Sequence, residues 1–147
     1  MPSDIDVRAS RQMSASPEAI WAVMSDLNRL PEWLAFAAAV EDVSGSADSA
    51  GATYTVKPHK SYEPSTRWQV AEVEAPRKQT HTSEMPMISG VTSTIELSQS
   101  NGGTVANVHW HGTPSKLSAK LMRGMFQKRI QQNWERSLEA LDRVASG

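Results

Sequence analysis

From Ser115 to Ala145 the apolar residues fall at Leu117, Leu121, Met122, Met125, Phe126, Ile130, Trp134, Leu138, Leu141 and Ala145. Steps of three and four put them on one stripe of a 3.6-residue helix. Pro114 ends the preceding segment, and Ser115 is the expected N-cap. At 1.5 Å per residue such a helix runs roughly 45 Å. Gly124 interrupts good helix formers and marks a bend or a close approach. A helix with one apolar stripe has to bury it against another layer, so this element dictates what the rest of the chain must supply.

Upstream, the period changes to two. Residues 4–13 alternate Ile5, Val7, Ala9 and Met13 with polar neighbours and predict a strand. Ser16, Pro17 and Glu18 supply an N-cap, an N1 proline and a first-turn acid, which predicts a helix ending near Asp26. A second short helix is expected over Asn28 to Trp33, and the stretch from Phe36 to Ala39 fits neither period. Strands are then expected over 40–44, 52–56, 67–74, 78–84, 91–98 and 104–111. The 78–84 strand is polar and is expected to be exposed on at least one side. Gly45 to Gly51, His59 to Pro64, Met85 to Ile88 and Asn101-Gly102-Gly103 separate these strands, the last as a hairpin turn that accepts positive φ. Strands joined this tightly run antiparallel. One sheet of that length curls, and its apolar face needs the C-terminal helix. The predicted fold class is therefore α+β, with a curved antiparallel sheet gripping one long helix.

Several of these residues form a familiar pattern. Ser16-Pro17-Glu18-Ala19-Ile20-Trp21, Ser25-Asp26-Leu27 and Leu30-Pro31-Glu32-Trp33 resemble the opening signature of the START/polyketide cyclase superfamily, the SRPBCC or helix-grip proteins. Gly51-x-x-Tyr54, the run from Val70 to Arg77, and Gly102-Gly103-Thr104 fit the same pattern. The resemblance spans nearly the whole chain and implies about seven strands around the C-terminal helix, two short helices after strand 1, and a deep apolar cavity between the layers. Its members include lipid carriers, aromatic polyketide cyclases, quinone-binding proteins, chaperone activators and toxins of toxin–antitoxin pairs, so it specifies fold more than function.

The chain of 147 residues is expected to form one domain, residues 1–147. It has no cysteine, no apolar run of the ~18 residues that would span a bilayer, and no basic-then-apolar leader in its first ten residues. These features point to a cytoplasmic location without stable membrane insertion. The net charge of −1 is uneven: seven basic and three acidic residues give Ser115–Ala145 a net +4. Lys116, Lys120, Arg123, Lys128 and Arg129 stand there without an acid between them. Such a face can dock on anionic lipid or nucleic acid, or be a solvated outer surface. Solvated surface is the simpler reading, and the chain as a whole is not basic enough to predict a nucleic-acid partner.

Among candidate chemical groups, cyclase relatives use a cavity arginine, which would fall on Arg67. Trp68 and Val70 claim the inner face of that strand, so alternation sends Arg67 outward. His109 and His111 share a face opposite Val108 and Trp110, and only His81 offers a third nitrogen for a metal. No catalytic residue, metal or cofactor is assigned. The expected ligand contacts are Trp33, Tyr54, Trp68, His81, Met85, Trp110, Met122 and Phe126, with Met87 and Trp134 as further wall candidates. The main reading is a carrier or binder of a lipid, quinone or polyketide-like molecule. The alternatives are a cyclase or dehydratase using Arg67, Tyr54 or His81, and an interaction protein such as one toxin of a pair, so a partner protein is possible.

Overall fold

A computed structural model of the chain describes residues 4–147. Residues 1–3, with which the leader reading begins, lie outside the described residues. The elements are β1 (Ile5–Met13), α1 (Pro17–Ser25), α2 (Leu30–Trp33), β2 (Ala39–Ser44), β3 (Thr53–Lys57), β4 (Thr66–Glu74), β5 (Lys78–Ser83), β6 (Ile88–Ser100), β7 (Gly103–Pro114), α3 (Leu117–Leu121) and α4 (Arg123–Ser146). A 3₁₀ turn over Leu27–Arg29 joins α1 to α2. One antiparallel sheet has the order β1-β7-β6-β5-β4-β3-β2, so β1 closes beside β7 and every other neighbour is a hairpin partner.

Local chemistry sets the boundaries. The Ser16 side chain accepts from Ala19 N at 3.1 Å and starts α1, with Pro17 in the first turn. Asp26 ends α1, and its carboxylate accepts from Asn28 N at 3.1 Å to open the 3₁₀ turn. Asn101 and Gly102 both take positive φ, at 50° and 78°, and close the β6–β7 hairpin as their residue types predict. In α4, Trp134, Ser137, Leu138 and Leu141 are buried, and the helix packs over β1 and against α1 and α2.

Two expectations need correction. The C-terminal stripe is not one helix capped by Ser115. The chain breaks at Met122 (φ −94°, ψ 8°), which separates α3 from α4. Lys116 occupies the N-cap of α3 without a side-chain cap, while Ser115 N donates to Met87 O at 3.0 Å. A one-residue break leaves the average apolar phase intact, so periodicity passes over it. The β5 strand is also less exposed than its polar composition suggests: Gln79, Thr80, His81 and Ser83 are all buried. It lies fourth of seven in the sheet, flanked on both edges, and its polar groups find partners within the fold.

Candidate functional site

Directly paired residues of antiparallel strands share a face, so the register defines rows across the concave side. One row runs Val7, Trp110, Ser93, His81, Val70 across β1, β7, β6, β5 and β4. A second runs Tyr54, Trp68, Ser83, Val91 across β3, β4, β5 and β6. All nine are buried. Serines beside tryptophans in both rows leave room for the large rings. Gly112 does the same on β7: an added Cβ would sit 2.6 Å from Ile88 Cγ2 and 3.1 Å from the Trp110 ring.

A chain of polar groups links the two rows. Tyr54 Oη is 2.6 Å from His81 Nδ1, His81 Nε2 is 2.9 Å from Gln79 Oε1, and Gln79 Nε2 donates to Ser25 Oγ at 3.2 Å. With the Gln79 amide so placed, its oxygen accepts from His81 Nε2–H. Nδ1 is then the acceptor, and the Tyr54 hydroxyl donates to it. Burial lowers the His81 pKa to about 4 and pushes the Tyr54 phenol up, so both are neutral at ordinary pH. Tyr54 stacks on Trp68 with centroids 6.5 Å apart and meets the His81 ring edge-on.

Two cavities lie between the sheet and α4. The inner one, about 20 Å³, is walled by Leu30, Trp33, Leu34, Phe36, Tyr54, Trp68, His81, Ser93, Ile95 and Trp134. It has room for one water-sized group. Trp33 Nε1 and Trp134 Nε1 are buried without a hydrogen-bond partner among the described residues. Both rings belong to this inner wall, and an indole N–H can only be satisfied by an acceptor. The outer cavity, about 410 Å³, lies between the 58–64 loop, the 85–88 loop and the first half of α4. Its apolar wall includes Phe36, Val56, Met85, Met87, Ile88, Trp110, Phe126 and Ile130, and its polar wall Glu63, Thr66, Arg129 and Asn133. Arg129 Nη2 donates to Glu63 Oε2 at 2.7 Å, joining α4 to the 58–64 loop. Both loops are held to the body of the fold. His59 Nε2 meets Ala35 O at 3.1 Å, Ser115 N donates to Met87 O at 3.0 Å, and Glu84 accepts from Gly90 N at 3.0 Å.

The residues singled out from sequence divide between these spaces. Trp33, Tyr54, Trp68 and His81 wall the inner cavity, as does Trp134. Met85, Trp110 and Phe126 wall the outer one, as does Met87. Met122 walls neither. It sits at the break between α3 and α4 with its side chain partly in solvent, because the break removes it from the inward stripe. Arg67 faces outward and donates to Asp42 O, Thr55 Oγ1 and Thr53 Oγ1 at 3.0, 2.9 and 2.8 Å. His109 and His111 lie on the outer face against Asp6 and Asp4, at 3.1 and 2.9 Å, opposite the face that carries His81. The His109 hydrogen bond holds the Asp6 carboxyl below its usual range. Among the described residues, no three His, Cys, Asp or Glu side chains cluster as a metal set would.

Sequence reasoning missed Phe36, the residue that walls both cavities and packs edge-on against Trp134 at 5.8 Å. It falls between two regular elements and carries no periodicity. Ile130 was on the helical stripe, four residues after Phe126, and could have been found there. The loop residues Pro58, Pro64 and Pro86 gave no signal.

A family model described as polyketide cyclase / dehydrase and lipid transport matches residues 4–146. No curated protein matches the sequence. Among solved structures, a Bacillus halodurans protein is similar at TM-score 0.73 and 19% identity, over 99% of this chain and 97% of its own. A Thermus thermophilus protein is similar at TM-score 0.72 and 20% identity, over 95% of this chain and 96% of its own. The di-domain ARO/CYC StfQ from the steffimycin biosynthetic pathway is similar at TM-score 0.79 and 11% identity, over 97% of this chain and 51% of StfQ. At these identities the likeness is one of fold.

Proposed function

The chain belongs to the polyketide cyclase / dehydrase and lipid transport family, and from that premise we propose that it binds a hydrophobic small molecule between the sheet and α4. The outer cavity carries this reading. Its volume, about 410 Å³, falls within the ~300–1,000 Å³ of small-molecule sites, and a mostly apolar wall with a few polar groups is what such sites use. The ligand body packs among Met85, Met87, Trp110, Phe126 and Ile130. An oxygen acceptor at its leading end, passing Phe36, satisfies the indole N–H groups of Trp33 or Trp134. This favours a lipid, quinone or polyketide-like compound with a terminal oxygen.

Native mass spectrometry of the purified protein, with thermal shift against fatty acids, quinones and aromatic polyketide-like compounds, tests the reading. A bound species, or a shift that Trp110→Ala or Phe126→Ala removes, is expected. The absence of both across all three classes would refute it.

The buried Tyr54–His81 pair supports a second reading, a cyclase or dehydratase. Tyr54 would take a proton from substrate carbon while passing its own to His81 Nδ1. That step places a positive charge on an imidazole whose burial holds its pKa near 4, which makes it a weak base at neutral pH. Binding is therefore the stronger reading. Turnover of a poly-ketone substrate, lost in Tyr54→Phe with binding retained, would reverse that order.

A further inference from the structure

The large hydrophobic side chains left in solvent are not scattered. Among the described residues they are Tyr62, Leu117, Leu121, Met122 and Met125. Every one lies in a segment that lines the outer cavity or runs directly into residues that do. Tyr62 belongs to the loop that gives Pro58, Glu63 and Pro64 to the cavity wall. Leu117 and Leu121 lie in α3, Met122 at the break and Met125 in the first turn of α4, just before Phe126 and Arg129 of the same wall. Leu117, Leu121 and Met125 follow in steps of four and are 73, 79 and 51% exposed, and Tyr62 is 79% exposed. Exposed leucines on one stretch leave a cost in water that a partner would remove.

Charge selects the partner. The chain as a whole is at −1, yet Lys116, Lys120, Arg123, Lys128 and Arg129 fall here, with no acid between Lys116 and Arg129. Arg129 is paired with Glu63, and Arg123 Nε donates to Asp4 O at 2.8 Å. None of the ion pairs among the described residues uses Lys116, Lys120 or Lys128. Lys60 lies 5.9 Å from the Tyr62 ring and brings another cation beside that exposed aromatic side chain. The nearby carboxylates are already engaged: Glu63 with Arg129, Asp4 with His111, Asp6 with His109. Exposed apolar side chains flanked by unpaired lysines match the interfacial layer of an anionic bilayer, where acyl chains take the leucines and headgroup phosphates take the ammonium groups. A second copy of this chain would bring the same positive charges face to face.

We infer that α3, the first turn of α4 and the Tyr62 loop form a docking surface for anionic membranes, which sets the mouth of the cavity against the lipid. Docking lies in the interface and does not span it, since no helix among the described residues is long and apolar enough to cross a membrane. The inference goes beyond the ligand-binding reading and does not depend on it, because the test below reads no cavity ligand.

The full chain is sedimented with sucrose-loaded vesicles of phosphatidylcholine alone and of phosphatidylcholine mixed equally with phosphatidylglycerol. Binding to the anionic vesicles, weakened by added salt, is expected. Lys116→Gln, Lys120→Gln and Lys128→Gln together should lower partitioning by about a hundredfold, taking roughly fivefold per lysine near a charged surface. Leu117→Ser with Leu121→Ser should lower it at unchanged charge. These exposed positions leave the core intact, and circular dichroism confirms the fold of each variant. No binding to anionic vesicles overturns the inference, as does binding that neither variant reduces. Self-association abolished by Leu121→Ser, without vesicle binding, assigns the surface to a second copy and overturns it equally.

Discussion

Folding takes the His81 imidazole out of water and leaves it neutral between Tyr54 and Gln79. Its pKa falls to about 4 through burial, against roughly 6.5 in an unfolded chain. Between those values the unfolded chain holds the proton and the folded chain does not. Stability is therefore complete above about pH 6.5 and is lost as pH falls toward about 4, by on the order of 3 kcal/mol. Urea unfolding of the wild type and of His81→Gln, at about pH 7 and about pH 4.5, checks this: the wild type should lose more stability on acidification. Equal losses would show that His81 is not the titrating group. Tyr54→Phe removes the hydroxyl that donates to Nδ1 and leaves a buried acceptor unpaired. It should cost about 1–3 kcal/mol at neutral pH in the same measurement. From sequence, alternation had Trp68, Val70, Val108 and Trp110 inward and Arg67, His109 and His111 outward, and the structure has the same arrangement. The polar chain from Tyr54 to Ser25 was not legible. It joins residues 25, 54, 79 and 81, and only the register across three strands and the end of α1 brings them together.

At the scale of elements, caps and turns were readable because their chemistry is local. Ser16→Ala should lower stability by about 1 kcal/mol, since it frees the Ala19 N–H at the start of α1. Thermal unfolding measures it, and an unchanged midpoint would mean that Pro17 and packing fix the helix start alone. Gly112 is a different case, a glycine whose role is spatial. Gly112→Ala places a methyl against Ile88 Cγ2 and the Trp110 ring, an overpacking that should cost about 1–3 kcal/mol and tilt Trp110 toward the outer cavity. Reduced ligand affinity together with reduced stability is the expected pair of results. Stability lost at constant affinity would show the strain relieved through Ile88 instead. The break at Met122 belongs to this scale too. Apolar phase reads through it, yet it turns Met122 out of the stripe and parts α3, with its exposed Leu117 and Leu121, from α4.

For the molecule as a whole, the two cavities meet at Phe36. Phe36→Ala should merge them and admit longer or bulkier ligands, while Phe36→Trp should shut the inner one. A panel of ligands of graded length, scored by thermal shift, separates these outcomes, and identical length profiles for both variants would remove Phe36 as the divider. A ligand present at a hundred times its dissociation constant should add about 2.7 kcal/mol, a rise of several degrees in midpoint for a chain of this size. The amino-acid sequence by itself determined the order of the elements up to the break at Met122, the α+β class, the antiparallel sheet and the helix it grips. Those follow from hydrophobic period, turn chemistry and caps, each readable within a few residues. Only the tertiary structure decided that the space under the sheet divides into an outer cavity and an inner pocket, that among the described residues two buried indole N–H groups lack partners, and that Tyr62, Leu117, Leu121, Met122 and Met125 stay in solvent on segments that adjoin the outer cavity wall. Cavity volume and side-chain satisfaction depend on how distant elements fill space together, and a pattern along one dimension carries no record of what is left unfilled.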